Sequence, residues 1–520
     1  MLVPQGMAYA MLAGMPPIYG LYAGLIPLIL YAILGTSRQM SIGPVAVSAL
    51  LILAGVSQIA EPLTEEYISL VILAGLLIGL VQTTLGLFRL GFLVNFISHP
   101  VIIGFTSAAA IIIAVSQLKD LLGFKIPRFS HSYETLQYAL QHLAETNWIS
   151  VVLCLSSIVV MVLLRKISRA IPGPLLVVVV GTLLVYYLGE ARLGIDLVGK
   201  VPEGLPAFQI AEMNWLNIKR LIPTVLTVTL IGIVESIGIA KVIQAKHGDY
   251  EIRPNQELLA LGISKIGGAF FQAIPSSGSF TRSAVNNEAG AKSGFASIFT
   301  SLVIGLTLLF LTPLFYFLPK AILAAIILLS VKSLFEWEEA KHLWHAHRKD
   351  FYMMLTTFIV TLALGIEEGV LAGVLLSIIM ILLKSCKPHV AILGKLPNTT
   401  IYRNIERYES ALEAANTLVF RFDDQLYYAN ADYFQEMIKE AVNKKKDTLN
   451  LFILDARCIN NIDSTGIHAI EQVNDFLLSR NIKFHIADLK GPVKDQMKLT
   501  GIGKKLGDKC RFLTVDDALQ

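Results

Sequence analysis

The sequence predicts a polytopic α-helical membrane protein with a small α/β domain at its C-terminal end. Three observations predict it: an apolar composition, apolar runs that recur at bilayer length, and a change of pattern after Lys384. Of 520 residues, 54% are hydrophobic and only 16% charged, and the mean hydropathy is +0.62. A soluble surface cannot be solvated at that ratio. The formal net charge of +4 is small for the length and argues against a nucleic-acid partner. Cys154, Cys386, Cys458 and Cys510 are widely spaced, so neither a CxxC metal pair nor a disulfide framework is suggested.

Crossing the hydrocarbon core takes roughly 20 apolar residues at about 1.5 Å each. Clear runs are Ile18 to Leu34, Tyr67 to Phe88, Ile149 to Leu164, Leu175 to Leu188, Leu221 to Ile243, Phe351 to Leu364 and Val370 to Leu383. The first run, Met1 to Met15, is too short to span. The chain is therefore expected to begin inside its first segment, with roughly 15 residues of that segment and an N-terminal extension lying before it. No basic region precedes this run, so no signal peptide is expected.

Two segments interrupt the pattern in corresponding places of the two halves. "RQMSIGPVAVSALL", Arg38 to Leu51, gives a Ser-x-Gly-Pro break and then a short helix, with the proline expected at its first position. "PSSGSFTRSAV", Pro275 to Val285, does the same with serines and Gly278, between the apolar stretches Leu258 to Phe271 and Phe295 to Leu318. Transporters built from inverted repeats hold their substrates at such paired breaks. Exposed backbone at membrane depth survives only where it lines a protein cavity or a water-filled site. Two helix N-termini meeting there present the amides of Val45, Ala46, Phe280 and Thr281 and the positive ends of two dipoles, which is an anion site. Arg282 then adds a permanent positive charge to the same field. The competing reading is an arginine that snorkels or closes a structural ion pair.

Glu235, in "TVTLIGIVESIGIAKVI", is the other charge within an apolar span, with Thr224 and Gly238 on the same helical face. A carboxylate there is costly to keep charged. It is either the proton acceptor of a symporter or the static counter-charge of Arg282.

Cations flank the runs at Arg165, Lys166 and Arg169; at Lys241, Lys246 and Arg253; at Lys341, Arg348 and Lys349; and at Lys384 and Lys387. If crossings alternate, all four groups fall on one side, which the positive-inside tendency makes cytoplasmic. After Lys384 the apolar runs shorten to strand length. Thr417 to Phe422, Asn450 to Leu454 and Lys483 to Ala487 read as buried strands. Tyr433 to Asn443, Gly466 to Ser479 and Gly491 to Leu499 read as helices, giving a βαβαβ layer pair. The domain division is a membrane body over 1–385, a linker over 386–397 and an α/β domain over 398–520. In "NIDSTGIHA", Asp463 or Ser464 is placed to cap the following helix.

"PQGMAYAMLAGMPPIYGLYAGLIPLILYAILGTSRQMSIGPVAV" and "SGSFTRSAVNNEAGAKSG" resemble the signatures of the sulfate permease family, SulP, whose animal members form the SLC26 group. "ILDARCINNIDSTGIHAIEQV" resembles its STAS domain. The resemblance covers essentially the whole chain. It implies an SLC26-like fold of fourteen segments in two inverted repeats of seven, a core moving against a gate, a cytoplasmic STAS domain and a homodimer. It also implies an anion site between segments three and ten, with Gln5 and Tyr9 of segment one, Val45 and Ala46 at the tip of the third, and Ser279, Phe280, Thr281 and Arg282 at the tip of the tenth. Glu235 falls where proton-coupled relatives carry a carboxylate. Val45 departs from relatives with phenylalanine there, which leaves pocket size open. In soluble STAS relatives the hydroxyl matching Thr465 is phosphorylated; Asp463, Ser464 and Thr465 form that turn here, and contact with a cytoplasmic partner or a second subunit is the expected use.

The function these features imply is secondary active anion transport in a plasma or inner membrane, with sulfate as substrate and a proton as coupling ion. Bicarbonate, with or without sodium, and dicarboxylates are the alternatives within transport. An anion channel or a STAS-based membrane regulator is the alternative outside it. No cofactor or metal is implied. His342, His345 and His347 lack a carboxylate or cysteine frame, and "TGIGKKLG" lacks phosphate-loop spacing. With no nucleophile–base arrangement in the sequence, an enzyme is not expected.

Overall fold

The computed structural model describes residues 1–92, 98–127, 129, 131–168, 172–189, 194–200, 204–445, 449–507 and 512–519; Arg169 and Cys510 lie outside them. The chain divides into two compact units, Met1–Ser377 and Ile378–Gln520.

The first unit is helical. It opens with α1 (Leu2–Leu12), α2 (Pro17–Tyr22), α3 (Ile26–Leu34), the short strand β1 (Ile42–Gly43), α4 (Ala46–Val56), α5 (Glu65–Leu87), α6 (His99–Ser116), α7 (Leu118–Leu122), α8 (Ser132–Gln141), α9 (Trp148–Ile167) and α10 (Gly173–Leu188). The second half brings α11 (Trp215–His247), α12 (Pro254–Phe270), β2 (Ser277–Gly278), α13 (Phe280–Glu288), α14 (Phe295–Phe310), α15 (Lys320–Val331), α16 (Trp337–Ala346), α17 (Arg348–Ala363) and α18 (Ile366–Cys386). Among the described residues, six stretches are long and apolar enough to cross a membrane: Pro17–Leu34, Glu65–Leu87, His99–Leu122, Trp148–Ile167, Trp215–His247 and Glu368–Cys386.

Local chemistry sets the helix ends. Thr64 caps α5 by accepting from Tyr67 N at 3.2 Å, and Glu65 and Glu66 occupy its first turn, where carboxylates suit the helix dipole. Asn147 caps α9, whose last turn carries Arg165 and Lys166. The run Ile18 to Leu34 is two helices rather than one, because Pro27 occupies the first turn of α3, a position that tolerates its missing N–H. The 33-residue α11 starts well before Leu221, at the cap of Asn214, and contains Pro223.

Burial separates two kinds of helix. The best apolar windows of α5 and α11 are 56% buried, whereas that of α9 is only 22% buried. Val152, Leu155, Val159 and Leu163 of α9 stand exposed, the surface a lipid-facing helix presents. A close internal seam joins α5 to α12. A Cβ on Gly79 would come within 2.8 Å of Gly262 O, and one on Gly86 within 2.9 Å of Leu259 N. Small residues let two backbones approach where lipid removes any hydrophobic drive between helices.

The second unit holds a five-stranded sheet in the order β4-β3-β5-β6-β7, with β3 (Val390–Lys395), β4 (Tyr402–Asn404), β5 (Thr417–Phe422), β6 (Leu451–Asp455) and β7 (Lys483–Ala487). β5, β6 and β7 are parallel, joined through α19 (Ala431–Lys445) and α20 (Ser464–Leu478); α21 (Gly491–Leu499) and α22 (Ile502–Leu506) follow. Phe420, Phe422, Phe434, Phe452 and Phe484 fill its core. The three parallel strands and their helices match the sequence reading within two or three residues at their ends. The antiparallel strands β3 and β4 are additions to it, and residues 386–397, read as a linker, hold β3 in full register with Phe420 and Phe422 of β5. Pro388 and Pro397 bracket β3, which is why its six residues read as connection rather than as strand.

Candidate anion-binding site

Two helices begin in the buried interior of the first unit: α4, with Val45 at its N-cap, and α13, with Ser279 at its N-cap. The strands that lead into them pair antiparallel, Ile42 with Gly278 and Gly43 with Ser277. Serines complete the pairing. Ser279 N donates to Ser41 O at 3.1 Å, Ser41 N to Ser283 Oγ at 3.0 Å, and Gly278 N to Ser236 Oγ of α11 at 2.9 Å. Each break thus supplies backbone partners that water supplies elsewhere. Gly278 is required by close approach, since a Cβ there would lie 2.9 Å from Met40 Sδ and 3.1 Å from Ser236 Cα. Pro44 is not the first helical residue, as the sequence suggested. It precedes the cap, and the fixed φ of its ring ends β1 and aims the chain into α4.

The two helix starts differ electrostatically. Ser279 Oγ accepts from Arg282 N at 3.5 Å, a long self-cap. No side chain caps α4, although Val45 and Ala46 are 5% and 7% exposed. A buried helix start without a cap leaves its first amides for another acceptor.

Arg282, on the first turn of α13, is 3% exposed. Its Nη1 donates to Pro44 O at 3.0 Å and to Gln5 Oε1 of α1 at 3.5 Å. Nη2 lies 3.1 Å from the point a Cβ on Gly43 would occupy, so the guanidinium rests against the bare backbone of β1. Nε and Nη2 are buried without a hydrogen-bond partner. One edge of the guanidinium therefore ties the crossing together, and the rest of its donors are free. Buried donors without acceptors are costly, and an anion is the acceptor that suits them.

Glu235 lies on α11 one residue before Ser236, and its Oε2 is buried without a partner. Among the described residues no ion pair joins it to Arg282. Tyr9 is buried and shares a side-chain hydrogen bond with Ser330 of α15. Ser279 Oγ and Thr281 Oγ1 lie 3.3 Å apart. The Phe280 side chain is 54% exposed, so at that position the backbone amide, not the ring, belongs to the buried helix start. Gln5, Val45, Ala46, Ser279, Thr281 and Arg282 are thus gathered at one crossing. Ser236, Ser283 and the Pro44 carbonyl are parts of it that sequence reasoning missed. The adjacency of Ser236 to Glu235 was the available signal.

In the second unit, Asp463 caps α20 by accepting from Gly466 N at 2.7 Å, and also accepts from Tyr428 N at 2.9 Å. Ser464 and Thr465 are exposed on the first turn. Nearby along the sheet, Asp423 receives Arg421 Nε at 2.5 Å and Nη2 at 2.9 Å, with His389 Nδ1 at 2.7 Å. Burial alone would raise the Asp423 carboxyl; the Arg421 guanidinium and the His389 ring outweigh it and hold that carboxyl below its ordinary range.

Comparisons with known proteins agree with this architecture. The model of the sulfate permease family matches residues 1–357, and that of the STAS domain residues 404–518. A sulfate transporter of Arabidopsis thaliana, transporter 4.1, described as chloroplastic, is 39% identical over 537 aligned positions covering 100% of this chain and 78% of its own. The structure of murine Slc26a9, an anion transporter in the inward-facing state, superposes with a TM-score of 0.91 at 26% identity, covering 99% of this chain and 88% of its own. The transmembrane domain of a cyanobacterial bicarbonate transporter, BicA, superposes at 0.64 with 21% identity over 72% of this chain and 94% of its own, a likeness of fold.

Proposed function

The chain belongs to the sulfate permease family, and from that premise we propose that it carries sulfate across a membrane together with a proton. It is a multi-pass membrane transporter, not an enzyme. The anion is held between the starts of α4 and α13: the uncapped amides of α4 and the free Nε and Nη2 of Arg282 take the oxygens, and Ser279 and Thr281 add hydroxyl donors. Gln5 and Tyr9 of α1 close the site from the third side. The observation that carries this reading is the buried guanidinium with partnerless donors beside an uncapped helix start. A dianion suits that donor set better than a monoanion, because two positive helix ends and one full charge converge on it.

Glu235 is the proton carrier. Its Oε2, buried without a hydrogen-bond partner, favours this role over that of a static counter-charge. Protonating it as sulfate enters leaves the loaded site less charged than the sum of its parts, which lowers the cost of moving the load through the membrane. The relative named above is a sulfate transporter, which supports the choice of anion. The site residues operate in a homodimer whose STAS domain is cytoplasmic, with the plasma or inner membrane as its place.

Uptake of radiolabelled sulfate into proteoliposomes, with and without an inward proton gradient, tests this. Gradient-stimulated uptake is expected, with the stimulation lost in Glu235→Gln while uptake without a gradient persists. Accumulation of bicarbonate or fumarate in place of sulfate would overturn the substrate. Uptake indifferent to the gradient in the unaltered protein would overturn the proton's role.

A further inference from the structure

The connection from α15 to α17 carries a face that anion transport as described above does not use. Its helix, α16, docks on the membrane body through Leu343, which is 5% exposed and packs against Ile103 of α6 and Met354 of α17. Ile103 lies in the second turn of the spanning stretch that begins at His99, roughly 6 Å from that start at about 1.5 Å per residue. The contact fixes α16 level with the end of a membrane span, where hydrocarbon gives way to headgroups.

Away from Leu343, α16 alternates aromatic rings with cations. At about 100° per residue, Trp337, Lys341 and Trp344 fall within about 60° of one another and about 100° or more from Leu343. Trp337 and Trp344 are 57% and 42% exposed. Lys341 Nζ lies 5.9 Å from the centre of the Trp337 ring, and the guanidinium of Arg348, the first residue of α17, lies 5.6 Å from that of Trp344. Phe335, also exposed, stacks on Trp337 with ring centres 6.3 Å apart. Among the described residues the one carboxylate that pairs with either cation is Glu338, 3.8 Å from Lys341. An exposed pair of that kind is weak and lets the ammonium turn to another acceptor.

We propose that this face binds the headgroups of acidic phospholipids, with Lys341 and Arg348 taking phosphate oxygens and Trp337 and Trp344 seated at the boundary with the acyl chains. An indole has an apolar body and a single N–H donor, which suits it to that boundary better than to water or hydrocarbon alone. A cation beside each ring adds attraction to a negatively charged leaflet. The level of α16 at a span end brings the lipid surface to these residues, so lipid is favoured over a protein partner as their occupant. The inference holds whichever anion the chain carries.

Tryptophan fluorescence of the full-length chain in vesicles tests it. Trp148 and Trp215, both exposed, are replaced by phenylalanine so that only Trp337 and Trp344 report. The chain is reconstituted into phosphatidylcholine vesicles containing a minor share of phosphatidylglycerol, with quenching bromine atoms on the acyl chains of either the acidic lipid or an equal amount of the neutral one. The expected result is quenching by both, at least twofold stronger from the brominated phosphatidylglycerol. Lys341→Gln with Arg348→Gln is expected to make the two lipids quench alike. Raising the salt concentration around the unaltered face is expected to do the same, and this second measurement does not depend on the folding of a charge variant. Equal quenching by both lipids at low salt would overturn the acidic preference. No quenching by either would overturn the inference altogether, by placing this face in water or against protein, a second copy of the chain included.

Discussion

At the residue scale, two buried charges in the first unit are treated in opposite ways. Glu257, fully buried at the start of α12, is saturated: Tyr31 Oη donates to it at 2.7 Å, Thr36 N at 2.6 Å, Thr36 Oγ1 at 2.5 Å and Ser37 N at 3.2 Å. Arg282 keeps unused donors. The first pattern is that of a brace, the second that of a binding group. Glu257→Ala would strand four donors and is expected to cost about 3 kcal/mol of stability, seen as a lower melting temperature in detergent. Arg282→Ala is expected to lower melting less than Glu257→Ala does, because only one edge of the guanidinium is bonded, while weakening sulfate binding at least tenfold, or about 1.4 kcal/mol. A charge is conspicuous in the sequence only where it breaks an apolar pattern. Arg282 stood out for that reason. Glu257 did not, because the turn it braces is more than two hundred residues earlier in the chain.

At the element scale, the two breaks were legible because serine, glycine and proline cannot be filler between spans. Their pairing as β1 and β2 was not, since two-residue strands carry no periodicity. In the second unit β3 is bracketed by prolines and β4 has only three residues, while the short apolar runs of β5 to β7 and the amphipathic helices were readable. Packing supplies a prediction the sequence did not suggest. Gly262→Leu would force α5 and α12 apart at a contact where even a Cβ meets Thr83 Oγ1 at 2.3 Å and Gly79 O at 2.8 Å. Loss of folded protein is expected, measured as the monodisperse yield on size exclusion. In the second unit, Asp463→Ala removes the cap of α20 and is expected to cost about 1 kcal/mol. The Asp423 carboxyl is held below its ordinary value of 3.8 by Arg421 and His389, against the opposing effect of burial. Its contribution is therefore fully present at neutral pH and is lost as pH falls through the folded value, below about 4. Asp423→Asn is expected to lower the stability of this unit at pH 7 and to flatten its acid dependence, measured by circular dichroism from pH 7 to pH 2.

For the whole molecule, membrane class and the α/β tail followed from composition and periodicity. Family membership followed from long motifs and is shown by matches that cover most of the chain. What composition could not convey is how the two halves meet, because that depends on hydrogen bonds between residues far apart in sequence. Ser41 with Ser279 and Ser283, and Arg282 with Pro44, join the halves at one point. A transporter needs such a point: one place where both repeats present helix starts to the same ligand. The central claim is that this place is an anion site centred on Arg282. The most direct test is equilibrium binding of radiolabelled sulfate to the purified full-length chain and to its Arg282→Ala and Arg282→Lys variants. Saturable binding that weakens at least tenfold in Arg282→Ala, with partial recovery in Arg282→Lys, is the predicted result. Binding of unaltered affinity in Arg282→Ala would contradict it and move the anion away from the crossing.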